Sequence, residues 1–251
     1  MKYEHLIIKK EDSVAIVTIN RHERRNALAA QTIEELDRAF TELENDAEIG
    51  AVVITGAGDK AFCAGADIEE GFVGAPLAAP ADIGYFVRRG QEVFQKIENF
   101  PLPVIAAVNG YALGGGFELM LSCDIVIAAE NASFGQPEVN RGIMPGWGGT
   151  QLLPRRVGKH RAMEILLLGG RMKAHDAEAM GLVNRVVPKG EELPAALEIA
   201  KRLARAPRTS LRLIKDAVLR GSVTSFEEGL KIEAENFVTA FRASDKIEKQ
   251  E

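Results

Sequence analysis

Residues 103–129 read PVIAAVNGYALGGGFELMLSCDIVIAA, and no other segment says as much about the architecture. The runs PVIAAVNG and DIVIAA (124–129) are continuously apolar rather than alternating, as in strands buried on both faces. Between them Gly114–Gly116 turn the chain into a helix expected at about 115–122. A buried strand, a glycine turn, a helix and a second buried strand make an α/β unit with largely parallel pairing.

Similar units lie on both sides. Upstream, Lys2–Lys10 and Ser13–Asn20 predict a hairpin around Glu11-Asp12. Thr32 is expected to cap the next helix, with Glu35 at the capping-box position and Ile33, Leu36, Phe40 and Leu43 on one face. Ala51–Thr55 is a short strand ended by Gly56, followed by a glycine-punctuated loop over 56–66. Asp82–Phe100 has helical periodicity and is stopped by Pro101 and Pro103. Downstream, helices are expected at 147–157, 160–168, 174–180, 191–205, 208–220 and 225–242, with one strand at Leu182–Val187. The recurring unit hints at a spiral core over 1–190. The all-helical remainder, 191–251, reads as a separate layer or an assembly surface.

The chain has 251 residues, 46% of them hydrophobic, and a formal net charge of −5. That is an ordinary globular composition, sized for one large domain or a domain with a modest appendage. The acidic balance argues against a general nucleic-acid binder. No apolar run approaches the roughly 20 residues of a membrane span, and MKYEHLIIKKED lacks a signal or transit pattern. Cys63 and Cys123 form no CxxC, which argues against a disulfide framework or a zinc site. A cytoplasmic protein without membrane or nucleic-acid partners is expected.

Glycine is over-used, with 24 residues in the chain and clusters at 110–116 and 142–149. The clusters contain no GxGxxG in register and no GK[ST], and the chain has no HExxH and no GxSxG. Dinucleotide binding, nucleotide hydrolysis, metal hydrolysis and triad chemistry lose their support. What remains is NGYALGGGFEL (109–119), where a helix starting near Gly115 exposes unpaired N–H groups at its positive end. Glu118, three residues on, projects from the same face as Gly115. One segment thus offers a backbone donor and a carboxylate, although a tight strand–helix turn would look the same. KAFCAGADI (60–68) repeats this grammar, with the Ala66 N–H as a second donor and Asp67 as a helix cap. In ASFGQPEVNRGIMPGWGGTQLLPRRVG (132–158), Pro137 stiffens the backbone before Glu138, which taken by itself reads more often as a solvated loop residue than as a site residue.

Together FCAGAD, NGYALGGGFEL, FGQPEVNRGIMPGWGGTQLLPR and the early HERRNAL (22–28) resemble the crotonase superfamily, and within it the enoyl-CoA hydratases. The resemblance runs from about residue 3 to about 243 with the motifs in order. It implies an α/β fold, a crotonase-like spiral of ββα turns with a C-terminal helical region, assembled as a homotrimer or a dimer of trimers. It implies that the N–H groups of Ala66 and Gly115 form an oxyanion hole for an acyl-CoA thioester, and that Glu118 and Glu138 are the catalytic pair. Coenzyme A enters as part of the substrate, and no cofactor or metal is expected. The implied reaction is reversible syn hydration of trans-2-enoyl-CoA to 3-hydroxyacyl-CoA, with Glu118 activating water and Glu138 serving C2 as the acid.

The resemblance also places CoA and acyl contacts at Arg25, Ala27, Ala64, Asp67, Ile68, Gly114 and Trp147. Arg24 and Arg25 suit phosphate, though a solvated basic turn reads the same way. Met144 joins Trp147 as a residue expected to shape the acyl pocket, with core packing an equal reading for both. Family members often carry lysine where this chain has Glu69, so no phosphate contact is expected there. They also tend to continue past the position of Glu251 with one more amphipathic helix, so a less covered site is expected at that end. The competing readings are an enoyl-CoA isomerase, a hydratase of branched or carboxylated acyl-CoA, and a non-catalytic acyl-CoA or RNA-binding scaffold.

Overall fold

Val14–Ile19 (β2) is rich in β-branched residues and pairs antiparallel with Leu6–Glu11 (β1) across Asp12, whose φ of 53° closes the hairpin. In this computed structural model, which describes residues 3–67 and 80–248, four parallel strands extend that hairpin. They are Ala51–Gly56 (β3), Val104–Val108 (β5), Ile125–Ala129 (β7) and Arg185–Val187 (β10), in the order β1-β2-β3-β5-β7-β10. A smaller sheet holds Ala61–Cys63 (β4), Tyr111–Leu113 (β6), Ser133–Gly135 (β8) and Met172–Lys173 (β9) in sequence order, with only β9 antiparallel.

The chain therefore repeats one move three times: a strand in the large sheet, a strand in the small sheet, then a helix. The helices are Pro80–Glu98 (α2), Gly115–Leu121 (α3) and Gly149–Leu168 (α4). This is the expected spiral of ββα turns. The small-sheet strands had read as loops and turns. At three residues or fewer they are too short to show an alternation of period two.

Both faces of the central strands β2, β3, β5 and β7 are buried, as their apolar runs require. One face joins a core containing Phe40, Phe62, Phe94, Phe100, Phe117 and Phe134. The other packs against Glu192–Ala204 (α6), where Ala196 and Ala200 meet Val53, Ile105 and Ile127. Ala30–Glu44 (α1) buries Ile33, Leu36, Phe40 and Leu43 as its periodicity predicts. It begins earlier than expected, so Thr32 is its third residue rather than its cap, and the hydroxyl accepts the Ala29 N–H at 3.3 Å. Glu35 is drawn away to accept the N–H groups of Glu4 and His5 at 3.0 and 2.9 Å.

α4 is one element with a break at Gly158 (φ 77°, ψ 164°), which separates the two helices read there. Ala174–Ala179 (α5) leads into β10. Arg208–Gly221 (α7) and Phe226–Glu248 (α8) pack on each other and leave apolar side chains outward. Lys215 ties α7 to the spiral by donating to Asp124 Oδ2 at 2.7 Å. No helix of the described residues is long and apolar enough to cross a membrane.

The start of α3 is pressed against β4, and a Cβ on Gly116 would fall on the carbonyl oxygen of Cys63. Gly116→Ala is expected to cost about 1–3 kcal/mol through overpacking, read as a lower urea midpoint. Gly170→Ala, whose Cβ meets nothing within 4 Å, is the control and should leave the midpoint unchanged or slightly raised.

Candidate active site

The site begins where β6 and β8 run side by side. Their pairing sets Leu113 opposite Gly135, and the Gly114 N–H donates to Gly135 O at 2.9 Å. Gly114 has a φ of 53°, which turns the chain sharply into α3 and favours glycine. Gly115 opens α3, so its N–H has no intrahelical acceptor and lies at the positive end of the helix.

The segment after β4 lies alongside. Ala66 forms a parallel bridge with Leu28, built from Leu28 N–H to Gly65 O at 2.8 Å and Asp67 N–H to Leu28 O at 3.0 Å. In parallel pairing those bonds leave the N–H of Ala66 facing the opposite side. That side is Gly115: a Cβ built on Gly115 would stand 3.5 Å from Ala66 N, and one on Gly65 would stand 3.5 Å from Gly115 N. Two amides without an acceptor among the described residues thus border one volume.

Glu118 comes from the same short helix and is only 2% exposed. Its Oε1 accepts the N–H of Trp147 at 2.8 Å and of Gly149 at 2.7 Å, so the loop leading into α4 is fastened to α3. Its Oε2 has no protein donor among the described residues. Burial pushes the Glu118 carboxyl up to about 7; the Gly149 N–H opposes that shift, the nearby Glu138 charge adds to it, and the Trp147 N–H opposes it.

Glu138 sits on the short 3-10 turn Pro137–Arg141 and is half-buried. Burial raises its pKa against the pull of its own N–H and of Arg141. The position of a Cβ on Gly114 is 2.8 Å from Glu138 Oε1, so this carboxylate borders the same turn as the amides. Gln136 is fully buried, and with its amide turned to donate, its nitrogen lies 2.8 and 3.0 Å from the two Glu138 oxygens. The same Gln136 amide and Glu118 Oε1 both crowd the Cβ position of Gly149, so Glu118 lies beside the amide that meets Glu138, and the Glu138 charge is near enough to act on the Glu118 carboxyl. Trp147 is 5% exposed; its ring packs edge-on to Phe86 and Phe94 and lies against Gly115, 2.5 Å from that residue's Cβ position at Cε3.

The sequence model of the enoyl-CoA hydratase/isomerase family matches residues 9–250. The chain belongs to this family. It is 44% identical to the short-chain-enoyl-CoA hydratase of Clostridium acetobutylicum over 98% of this chain and 92% of that protein. It is also 44% identical to the crotonyl-CoA hydratase of Syntrophomonas wolfei over 99% of this chain and 94% of that protein. The crystal structure of an enoyl-CoA hydratase from Bacillus anthracis superposes with a TM-score of 0.93 at 37% identity, covering 98% of this chain and 95% of that one.

For this member of the enoyl-CoA hydratase/isomerase family, the structure brings Ala66, Gly114, Gly115, Glu118, Glu138 and Trp147 together. Arg25 is exposed and Ala27 and Ala64 are partly exposed, with the Ala64 N–H donating to Arg25 O at 3.1 Å. The Asp67 carboxylate is buried against Arg21 rather than turned outward. Ile68 and Glu69 lie outside the described residues. Met144 is 68% exposed and lines an apolar cavity of about 380 Å³ with Val139, Ile143, Met163 and Leu167. Sequence reasoning missed Gln136 and the Gly149 N–H. Their signal was proximity: both sit in the FGQPE and GWGG stretches that carried the family resemblance.

An unfolded glutamate titrates near 4.5 and the native Glu118 near 7, so the native state holds a proton that the unfolded chain releases. Stability therefore falls as pH rises through that window. Glu118→Gln keeps an oxygen for both N–H groups and abolishes the titration. Relative to the parent, it should gain up to about 3 kcal/mol between pH values of about 5 and about 8. Urea unfolding at both pH values reads this, and a constant difference would contradict the elevated pKa.

Proposed function

We propose that the chain is an enoyl-CoA hydratase that adds water reversibly across the double bond of trans-2-enoyl-CoA to give 3-hydroxyacyl-CoA. The observation that carries this reading is the gathering of the Ala66 and Gly115 amides, Glu118 and Glu138 around the glycine turn at 114–115. In this reading the N–H groups of Ala66 and Gly115 donate to the thioester oxygen. As water attacks C3, electron density moves onto that oxygen, where preorganised donors act most strongly; losing one such donor typically costs about 10²–10³ in rate. Glu118, through its free Oε2, takes a proton from the attacking water. Glu138 delivers a proton to C2 as the enolate collapses, and the pair is reset by proton exchange within the site. Hydration leaves the overall oxidation level of the substrate unchanged, so the chemistry calls for no redox cofactor.

The environments suit these roles. A carboxylate with pKa near 7 is far more basic than an ordinary glutamate, yet is substantially ionised at neutral pH. Glu138, also raised by burial, retains a transferable proton more readily than a solvated side chain would. The exposed edge formed by Arg25, Ala27 and Ala64 is where we place the coenzyme A portion. Gly114 and Trp147 then border the acyl portion. The spiral core is assigned to residues 1–190 and the helical region to 191–251. Exposed Ile214, Val218, Phe226, Phe237 and Phe241 on α7 and α8 support a homotrimer or dimer of trimers as the working assembly.

Incubation with crotonyl-CoA should remove the absorbance of the conjugated thioester and yield the 3-hydroxy product. Migration of the double bond without uptake of water would reject hydration. Glu118→Gln and Glu138→Gln should each lower turnover by at least about 10²-fold while thioester binding stays nearly unchanged. Full turnover in either variant would remove that residue from the mechanism.

A further inference from the structure

The Ala66 N–H is aimed only as well as the segment that carries it, and residues 64–67 have no regular structure beyond one bridge to Leu28. The partner segment is also irregular, with φ of 53° at Arg25 and 57° at Asn26. Two buried side chains hold the pair of segments. Asn26 is fully buried; its Nδ2 donates to Ala57 O at 3.0 Å and Ala61 O at 2.7 Å, and its Oδ1 accepts the Arg21 N–H at 3.1 Å. Arg21, 6% exposed, donates from Nη1 to Ala27 O at 2.5 Å and to Asp67 Oδ2 at 2.9 Å.

Ala27 precedes Leu28, and Asp67 follows Ala66. One guanidinium nitrogen therefore spans both sides of the bridge that orients the Ala66 amide. A buried ion pair is a weak source of net stability, because desolvation offsets most of the attraction. Its value here is directional: the two bonds fix how far the 64–67 segment can slide past 25–28.

We propose that Arg21 and Asp67 are positioning residues whose buried ion pair locks these two segments in register and holds the Ala66 N–H on the thioester oxygen. This rests on the reading of Ala66 and Gly115 as oxyanion donors. The assignment gives Asp67 a role through its buried side chain, which meets Arg21 beneath the bridge.

The test compares Asp67→Ala with the milder Asp67→Asn, whose amide oxygen can still accept from Arg21, and with Arg21→Lys. Each is assayed for kcat and KM with crotonyl-CoA and for melting temperature. Each is also titrated with a slowly reacting aryl-conjugated enoyl-CoA, whose absorption band moves to longer wavelength when its carbonyl is polarised. Asp67→Ala should lose about 10–100-fold in kcat with KM changed less than about 3-fold, in keeping with a misaimed oxyanion donor. The band shift should shrink in parallel, with Asp67→Asn and Arg21→Lys intermediate. Variants that fold and keep both the parental kcat and the full band shift would overturn the proposal. So would variants, mild ones included, that simply melt below assay temperature, because the pair would then serve stability alone. A parent protein that leaves the probe's band unmoved would instead overturn the oxyanion reading itself.

Discussion

Glu118 Oε1 accepts two main-chain N–H groups from the start of α4, and the geometry of the site follows from that double contact. The carboxylate belongs to α3, whose first residue supplies one of the unpaired amides. The N–H groups belong to the loop that carries the Trp147 ring back against that same residue. A buried acid thus acts as a rivet between two turns of the spiral. Two backbone donors on one oxygen also limit how far burial raises the pKa, which leaves the carboxyl near neutrality rather than permanently protonated.

The remaining charges near the site follow the same logic of partial compensation. Glu138 is raised by desolvation but is offered donors by the Gln136 amide and its own main chain. Arg21 and Asp67 neutralise each other beneath the neighbouring loop. No described group of three or more His, Cys, Asp or Glu side chains gathers where a metal ion would sit. The site's electrostatics thus rest on amides, two acids and the low-dielectric packing around them.

The large sheet was legible because five of its six strands run to five or six residues, and the central ones, β3, β5 and β7, appear as largely apolar runs. The small sheet was not: β4, β6 and β8 contain three residues each, and their pairing is a long-range fact with no local periodicity. Glu118 could be tied to Gly115 by helical spacing alone. Glu138 could not, because what brings it near is the β6–β8 pairing of Leu113 with Gly135. Family resemblance named it where physical reasoning left a loop glutamate open. Thr32 shows the opposite failure. Its capping signal was real, but the backbone before it already met helical requirements at Ala30, and the hydroxyl took a position one turn inward.

The two amides proposed to receive the thioester oxygen are main-chain groups, and this bears on how the scaffold can change over time. A side chain can be deleted by a single base change, whereas an amide hydrogen survives every substitution except proline. In the proposed mechanism, charge stabilisation at positions 66 and 115 is therefore inherited with the chain path itself. The acids at 118 and 138 are ordinary codons, open to replacement one at a time. Drift in such a lineage should alter which proton moves, and where, long before it erases the capacity to hold an enolate.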